Sequence, residues 1–542
     1  MDKDKKIFIF DSTLRDGAQA QGISFSVTDK LKIAAKLDEL GVSYIEAGNP
    51  GSNPKDLQFF ARAKDELKFS TAKLCAFGST RRPGIRAQDD DNLKALIAAG
   101  VDALTIFGKA WPFHVREIIK TTLNENLLMI KDSITYLKSL GKEVIFDAEH
   151  FFDGYKADPD YAVAVLRTAR DAGADWLVLC DTNGGMLPLE THQIVAGLVR
   201  EEGLKNLGIH CHNDAGTAVA NSLVAVQAGV RQVQGTFTGF GERCGNANLS
   251  TIIADLGLKL GCHSIPGDKM DNLCAAYRYI CEISNIFPNE REPYVGNCAF
   301  AHKGGMHIDG VRKNAASFEH VSPAAIGNER RILASEVSGR STIQMIINKI
   351  DPSVSRDAPE TQRILNHIKE KEFYGYQYEG AEHSLELLVR KELGRFKHSF
   401  EIVDYKVISE RQSVAVPGSL PKSRIMAFVR IAVDGVVEEV GVSDEIGPVN
   451  ALDKALRKAL HQFYKPISQM HLADYKVRVI NGENATEAKV RVLIESTDGV
   501  TTWTTIGLSD NIIEASLQAL VDSYEYCLLS NNGAIRNAAC QN

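Results

Sequence analysis

Short apolar runs alternate with stretches of helical spacing through the first 240 or so residues. The runs are Ile7–Phe10, Val42–Ala47, Leu74–Phe77, Ala103–Phe107, Val144–Phe146, Trp176–Leu179, Leu207–Ile209 and Val230–Phe237. Each reads as a buried strand, because a short, mostly apolar run of three to eight residues suits a parallel sheet covered on both faces. Between the first two, Leu31, Ala34, Ala35, Leu37 and Leu40 fall on one helical face, with Thr28 as the expected N-cap and Gly41 as the stop. The same helix-ending glycine before a strand returns at Gly100, Gly173 and Gly229. Eight such βα units predict an α/β protein with a (β/α)8 TIM barrel, in preference to an open doubly wound sheet.

Past Ser264 the rhythm stops. Residues 265–382 read as helical linker and lid segments with polar loops. From about His383 strand-like runs return at Ser384–Val389, Arg424–Val433 and Lys489–Ile494. Two halves repeat there: Gly441-Val442-Ser443-Asp444 precedes a helix at Ala451–Leu460, and Gly507-Leu508-Ser509-Asp510 precedes one at Ile512–Val521. The expected layout is a barrel at 1–264, a helical linker at 265–382 and a tandem α+β module at 383–542.

Composition narrows the class. With 542 residues, 44% hydrophobic and 24% charged, the chain has material for a large core. A net charge of −7 argues against nucleic acid or an anionic membrane surface as partner. The ten cysteines form no C-x-x-C pair, which fits a reducing cytoplasm. There is no apolar stretch of signal-peptide or membrane-spanning length.

Catalytic side chains of a barrel stand at the C-terminal ends of its strands, so the residues after each run carry the chemistry. The first run leads into Asp11-Ser12-Thr13-Leu14-Arg15-Asp16-Gly17, with Asp11 open to a capping role. The seventh ends in His210-Cys211-His212-Asn213-Asp214. Alternation puts His210 and His212 on one side of the strand, about 6.6 Å apart along its axis, and Cys211 on the other. Two imidazoles plus a carboxylate from another strand end make a set with open positions, suited to a divalent metal that also binds substrate. The fifth and sixth runs supply Glu149 and Thr182, with Asp181 equally suited to capping a turn. After the eighth comes Gly239-Phe240-Gly241-Glu242-Arg243-Cys244-Gly245-Asn246, a glycine-rich loop with amides fit for a phosphate or acyl oxygen, without the dinucleotide fingerprint. Further on, Gly305-Met306-His307-Ile308-Asp309-Gly310 reads either as a glycine-capped helix start or as a proton-transfer segment.

Together these motifs resemble the 2-isopropylmalate synthase, homocitrate synthase and citramalate synthase family over nearly the whole chain. Within it, the segment Phe146 to Tyr155 and Cys180-Asp181-Thr182-Asn183-Gly184-Gly185 are most similar to long-form citramalate synthases. The resemblance implies condensation of acetyl-CoA with pyruvate to (R)-citramalate, on a route to isoleucine. The alternative is a 2-isopropylmalate synthase or another 2-alkylmalate synthase. An acyl-CoA lyase and a metabolite sensor on the same barrel are the rivals outside synthesis. The resemblance also implies roles. Asp16, His210 and His212, with Asn246 beside them, would hold Mn, Mg, Zn or Co. Arg15 would stabilise an oxyanion, Glu149 and Thr182 would position substrates, and His307 with Asp309 would form the proton-transfer pair. The C-terminal repeat is similar to a regulatory domain that binds an amino-acid end product and forms a homodimer, its matching segments being Gly447-Pro448-Val449-Asn450-Ala451 and Asp510 to Ala515. One departure stands out: relatives often carry Tyr shortly after the H-x-D motif, where this chain has Phe318.

Overall fold

The computed structural model describes residues 5–333, 340–355, 357–411, 423–444, 446–480, 488–499 and 501–530. Contacts divide the chain into two compact units, Met1–Ala301 with Glu319–Arg331, and His302–Phe318 with Ile332–Asn542.

The first unit is a closed barrel of eight parallel strands in sequence order. They are β1 (Phe8–Asp11), β2 (Tyr44–Glu46), β3 (Lys73–Ser79), β4 (Ala103–Lys109), β5 (Glu143–Glu149), β6 (Trp176–Asp181), β7 (Leu207–Cys211) and β8 (Gln232–Gly235). Closure comes from β1 on β8, with Phe8 opposite Gln232 and Asp11 opposite Gly235. Every predicted apolar run of this region holds a strand. Inside the barrel Phe10, Tyr44, Cys75, Ile145, Trp176 and Val178 form a packed plug, while outward-facing residues join the core under the helices. A filled interior leaves the strand ends as the place where polar groups gather.

The first helix, Val27–Leu40, corrects one expectation. Its N-cap is Ser26 rather than Thr28: Ser26 Oγ accepts from the Asp29 amide at 3.1 Å, and the Asp29 carboxylate accepts from the Ser26 amide at 2.8 Å. This reciprocal box satisfies two amides that the helix leaves without a partner. Gly41 ends the helix as expected, at φ 93°, a left-handed conformation that favours glycine.

In the second unit, helices Gly305–Lys313, Arg340–Ile350, Pro359–Phe373 and Glu382–Glu392 precede two antiparallel three-stranded sheets. Strands Glu401–Arg411, Ser423–Val433 and Val436–Asp444 lead to helix Pro448–His461, and strands His471–Ile480, Lys489–Thr497 and Thr502–Ser509 lead to helix Ile512–Ser530. The predicted repeat is therefore a doubled βββα unit. Both halves bury one core, in which Leu452 and Leu456 join Ile494, Trp503, Leu520 and Tyr524. The expected strand at Ser384–Val389 is instead part of helix Glu382–Glu392, whose Leu385, Leu388 and Val389 bury a helical face at i, i+3, i+4 against Ile364 and Ile368. A run of six apolar and polar residues is too short for periodicity to separate the two states.

Candidate active site and metal centre

The turn after β1 is built on a buried acid. The Asp11 carboxylate accepts from the Thr13 amide at 2.9 Å and the Thr13 hydroxyl at 3.0 Å, so it works as a local cap. Burial, against those bonds, pushes its carboxyl up to about 7. The turn delivers Arg15 and Asp16 to the barrel mouth. Arg15 Nε donates to Glu46 Oε2 at 2.6 Å and Arg15 Nη1 to Asp16 Oδ2 at 2.9 Å, while the guanidinium lies 3.7 Å over the Phe77 ring. Ser12 Oγ donates to the same Glu46 oxygen at 2.6 Å. Burial opposes the charge on Arg15, but Glu46, Asp16 and Asp147 outweigh it and hold the guanidinium protonated.

Asp16, His210 and His212 converge. One ligand atom from each lies within 4.8 Å of the other two. Asp16 Oδ2 stands 3.7 Å from His210 Nε2 and 4.0 Å from His212 Nε2, too far for hydrogen bonds and suited to a cation between them. Burial holds both imidazoles below their ordinary range, His210 down to about 4, so each offers a neutral nitrogen at pH 7. Burial would raise Asp16, yet Arg15, the two imidazoles and the Asn246 amide together bring its carboxyl down to about 2. One carboxylate and two neutral imidazoles are the donor set of a divalent metal. Asn246 Nδ2 donates to Asp16 Oδ1 at 2.8 Å and to the Phe240 carbonyl at 3.0 Å, which leaves its Oδ1 buried without a protein partner. His212 Nδ1 is likewise buried and unpartnered. The orphaned Asn246 oxygen beside three converging ligands fits a bound cation.

A cavity of about 240 Å³ opens over this set, lined by Arg15, Asp16, Phe77, Phe107, Asp147, Glu149, Thr182, His210 and His212 among others. It brings together six of the expected site residues. Thr182 is tied into the wall: its hydroxyl accepts from the His150 amide at 2.9 Å and its carbonyl from Arg243 at 2.7 Å. Arg243 also grips both oxygens of Asp214, at 2.8 and 2.9 Å. Glu149 pairs with Lys109 from the end of β4. Asp181 takes the turn-capping role, accepting from the amides of Gly185 and Met186. Cys211 is packed in the core.

The glycine-rich loop after β8 is partly closed on itself. The Gly245 amide donates to the Glu242 carbonyl and the Asn246 amide to the Gly239 carbonyl, closing the loop on itself. Its product is the placement of Asn246. Gly241 has φ 156°, and a Cβ there would fall 2.2 Å from Asn246 Nδ2.

His307 and Asp309 lie in the second unit, on helix Gly305–Lys313. Two residues apart is about 200° around a helix, so the pair is not brought face to face. The Asp309 carboxylate accepts from Lys313 Nζ at 2.6 Å. The His307 ring stacks on Phe318, centroids 4.1 Å apart. Gly310 makes room for that ring, since a Cβ there would meet it at 2.4 Å.

Comparison with known proteins finds three family matches along the chain. Residues 6–274 match the HMGL-like family, 294–373 the homocitrate synthase post-HMGL domain-like family, and 379–528 the LeuA allosteric (dimerisation) domain. The chain is 50% identical over 527 residues to (R)-citramalate synthase of Aquifex aeolicus, covering 97% of this chain and 98% of that one. It is 50% identical over 520 residues to (R)-citramalate synthase of Geobacter sulfurreducens, covering 96% and 97%. The chain belongs to the (R)-citramalate synthase family. A 2-isopropylmalate synthase of Methanocaldococcus jannaschii stands further off, 30% identical over 522 residues and covering 95% and 94%.

Membership makes the chain an enzyme, a transferase on a TIM barrel, and among the described residues no helix is long and apolar enough to cross a membrane. Within this family member, Glu46, Lys109, Asp147, Gln234 and Arg243 were not singled out as site residues from the sequence. Glu46 and Gln234 had a signal there: each is a polar residue inside an apolar strand run, where burial demands a partner.

Proposed function

We propose that this enzyme joins acetyl-CoA, pyruvate and water to give (R)-citramalate and free CoA. The observation that carries the reading is identity of 43–50% to five (R)-citramalate synthases along nearly the whole chain, with Asp16, His210 and His212 converging in the barrel mouth.

Asp16, His210 and His212, with Asn246 adjoining, are the residues to hold a divalent ion. That ion, when bound, supplies Lewis acidity to the keto carbonyl of pyruvate. Arg15, fixed by Glu46 and Phe77, donates to the oxygen that gains charge as the acetyl carbon adds. Phe107 and Phe77 close a small cavity around a three-carbon oxo acid, and Glu149 and Thr182 orient the reactants. His307 takes the proton from the acetyl methyl group. Asp309 is assigned no share in orienting that imidazole, because it leaves the helix on another face toward Lys313. Water then cleaves the citramalyl thioester, and loss of CoA makes the sequence irreversible.

For the C-terminal module we assign a homodimer contact and an isoleucine site. The match to an allosteric dimerisation domain supports a dimer contact and an effector site, with Gly447–Ala451 and Asp510–Ala515 at the starts of its two helices. We place the enzyme in the cytoplasm and the layout at barrel, linker and regulatory module. The test is CoA release from acetyl-CoA with pyruvate, 2-oxoisovalerate or 2-oxoglutarate. Pyruvate should be preferred by kcat/KM, and failure to turn over pyruvate would sink the reading.

A further inference from the structure

Behind His210 the barrel interior holds a chain of buried polar side chains. His210 on β7 and Gln234 on β8 are register partners, so their side chains leave the sheet side by side. His210 Nδ1 lies 3.1 Å from Gln234 Oε1. The other end of that amide, Gln234 Nε2, donates to Asp147 Oδ1 on β5 at 3.2 Å and to Gln232 Oε1 at 3.3 Å. Gln232 and Gln234 are 0% exposed and Asp147 is 4% exposed. Apolar side chains fill such a space without the desolvation penalty of an amide, so retention of this network needs a reason.

Orientation of the amide gives one. Two oxygen acceptors hold the Gln234 NH2 group, which turns its carbonyl oxygen toward His210. An amide oxygen only accepts, so the hydrogen sits on His210 Nδ1. The neutral ring then has its lone pair on Nε2, the atom 3.7 Å from Asp16 Oδ2. His212 has no such backing, since its Nδ1 finds no partner. We propose that Gln234, aimed by Asp147, is a positioning residue that holds His210 in the Nδ1–H tautomer and thereby sets the affinity of the site for a divalent cation. The inference rests on reading Asp16, His210 and His212 as that cation's ligands.

The experiment is calorimetric titration of Mn(II) into the metal-free full-length protein. Gln234→Met keeps the length of the side chain and removes the acceptor, and should weaken Mn(II) binding by about 10- to 100-fold. Gln234→Glu restores an acceptor for Nδ1–H and should bind within about threefold of wild type, a rescue that a packing role would not produce. Wild-type affinity in Gln234→Met, or a loss in Gln234→Glu as large as in Gln234→Met, overturns the proposal. Should Gln234→Met fail to fold, Gln234→Asn, which withdraws the oxygen by one methylene, is expected to lose about 10-fold, and unchanged binding there overturns it equally. A wild-type protein that does not bind Mn(II) removes the cation site itself, a separate failure.

Discussion

Arg15 is gripped on three sides, by the Glu46 carboxylate, the Asp16 carboxylate and the face of Phe77. A lysine keeps the charge but not the planar fork that meets two acceptors and an aromatic face at once. Arg15→Lys should therefore lower kcat by about 100-fold while Mn(II) affinity stays near wild type, read by steady-state kinetics beside calorimetry. A second prediction concerns His210, whose burial lowers its pKa from 6.5 to about 4. Between those values the unfolded chain binds the proton and the folded chain does not, so the stability of the fold falls as pH drops through that window. In metal-free protein, His210→Asn removes this dependence. Wild type should lose up to about 3 kcal/mol against the variant between pH 7 and pH 4, measured by urea unfolding. Much of the site was legible in the sequence at this scale because His-x-His and Arg-Asp sit at strand ends. Glu46 and Gln234 signalled there only that each needed a partner, and which partner was not legible, since their contacts come from elements that the closed barrel sets side by side.

The strand rhythm of the barrel was legible because most of its buried parallel strands are short apolar runs separated by helical spacing. The helix Glu382–Glu392 was not, because a six-residue window of mixed apolar and polar residues satisfies either period. The loop after β8 shows a different limit. Its glycines read as a cradle, but the amides of Gly239, Gly245 and Asn246 are spent internally, and the glycines also serve close approach and positive φ. Gly241→Ala should push Asn246 off Asp16 and weaken Mn(II) binding by about 10-fold, the scale expected when a partner of a metal ligand is disturbed. Gly185→Ala is the matched control, since a Cβ there meets nothing within 4 Å. Equal affinities in the two variants would dissociate the loop from the metal centre.

Each unit of the molecule holds its own hydrophobic core, one under the barrel helices and one between the two βββα halves. Heating should therefore give two calorimetric transitions. Leu456→Ala, deep in the second core, should lower the transition of that unit by about 2–5 kcal/mol and leave the other in place. Mn(II) should raise the barrel transition selectively, because a ligand stabilises the state that binds it. The modest acidity of the whole chain takes on local meaning here: Asp11, Asp16, Glu46 and Asp147 crowd the barrel mouth around Arg15, where burial pushes the carboxyls of Asp11 and Asp147 up toward the neutral acid while Asp16 stays ionised as the anionic member of the cation site. Conversion of 13C-labelled acetyl-CoA with pyruvate, followed by NMR in EDTA and again after Mn(II) is restored, tests this account most directly. Citramalate should form one-for-one with CoA after Mn(II) is restored and not in EDTA. Citramalate formation at the full rate in EDTA, or CoA release without citramalate, would contradict it.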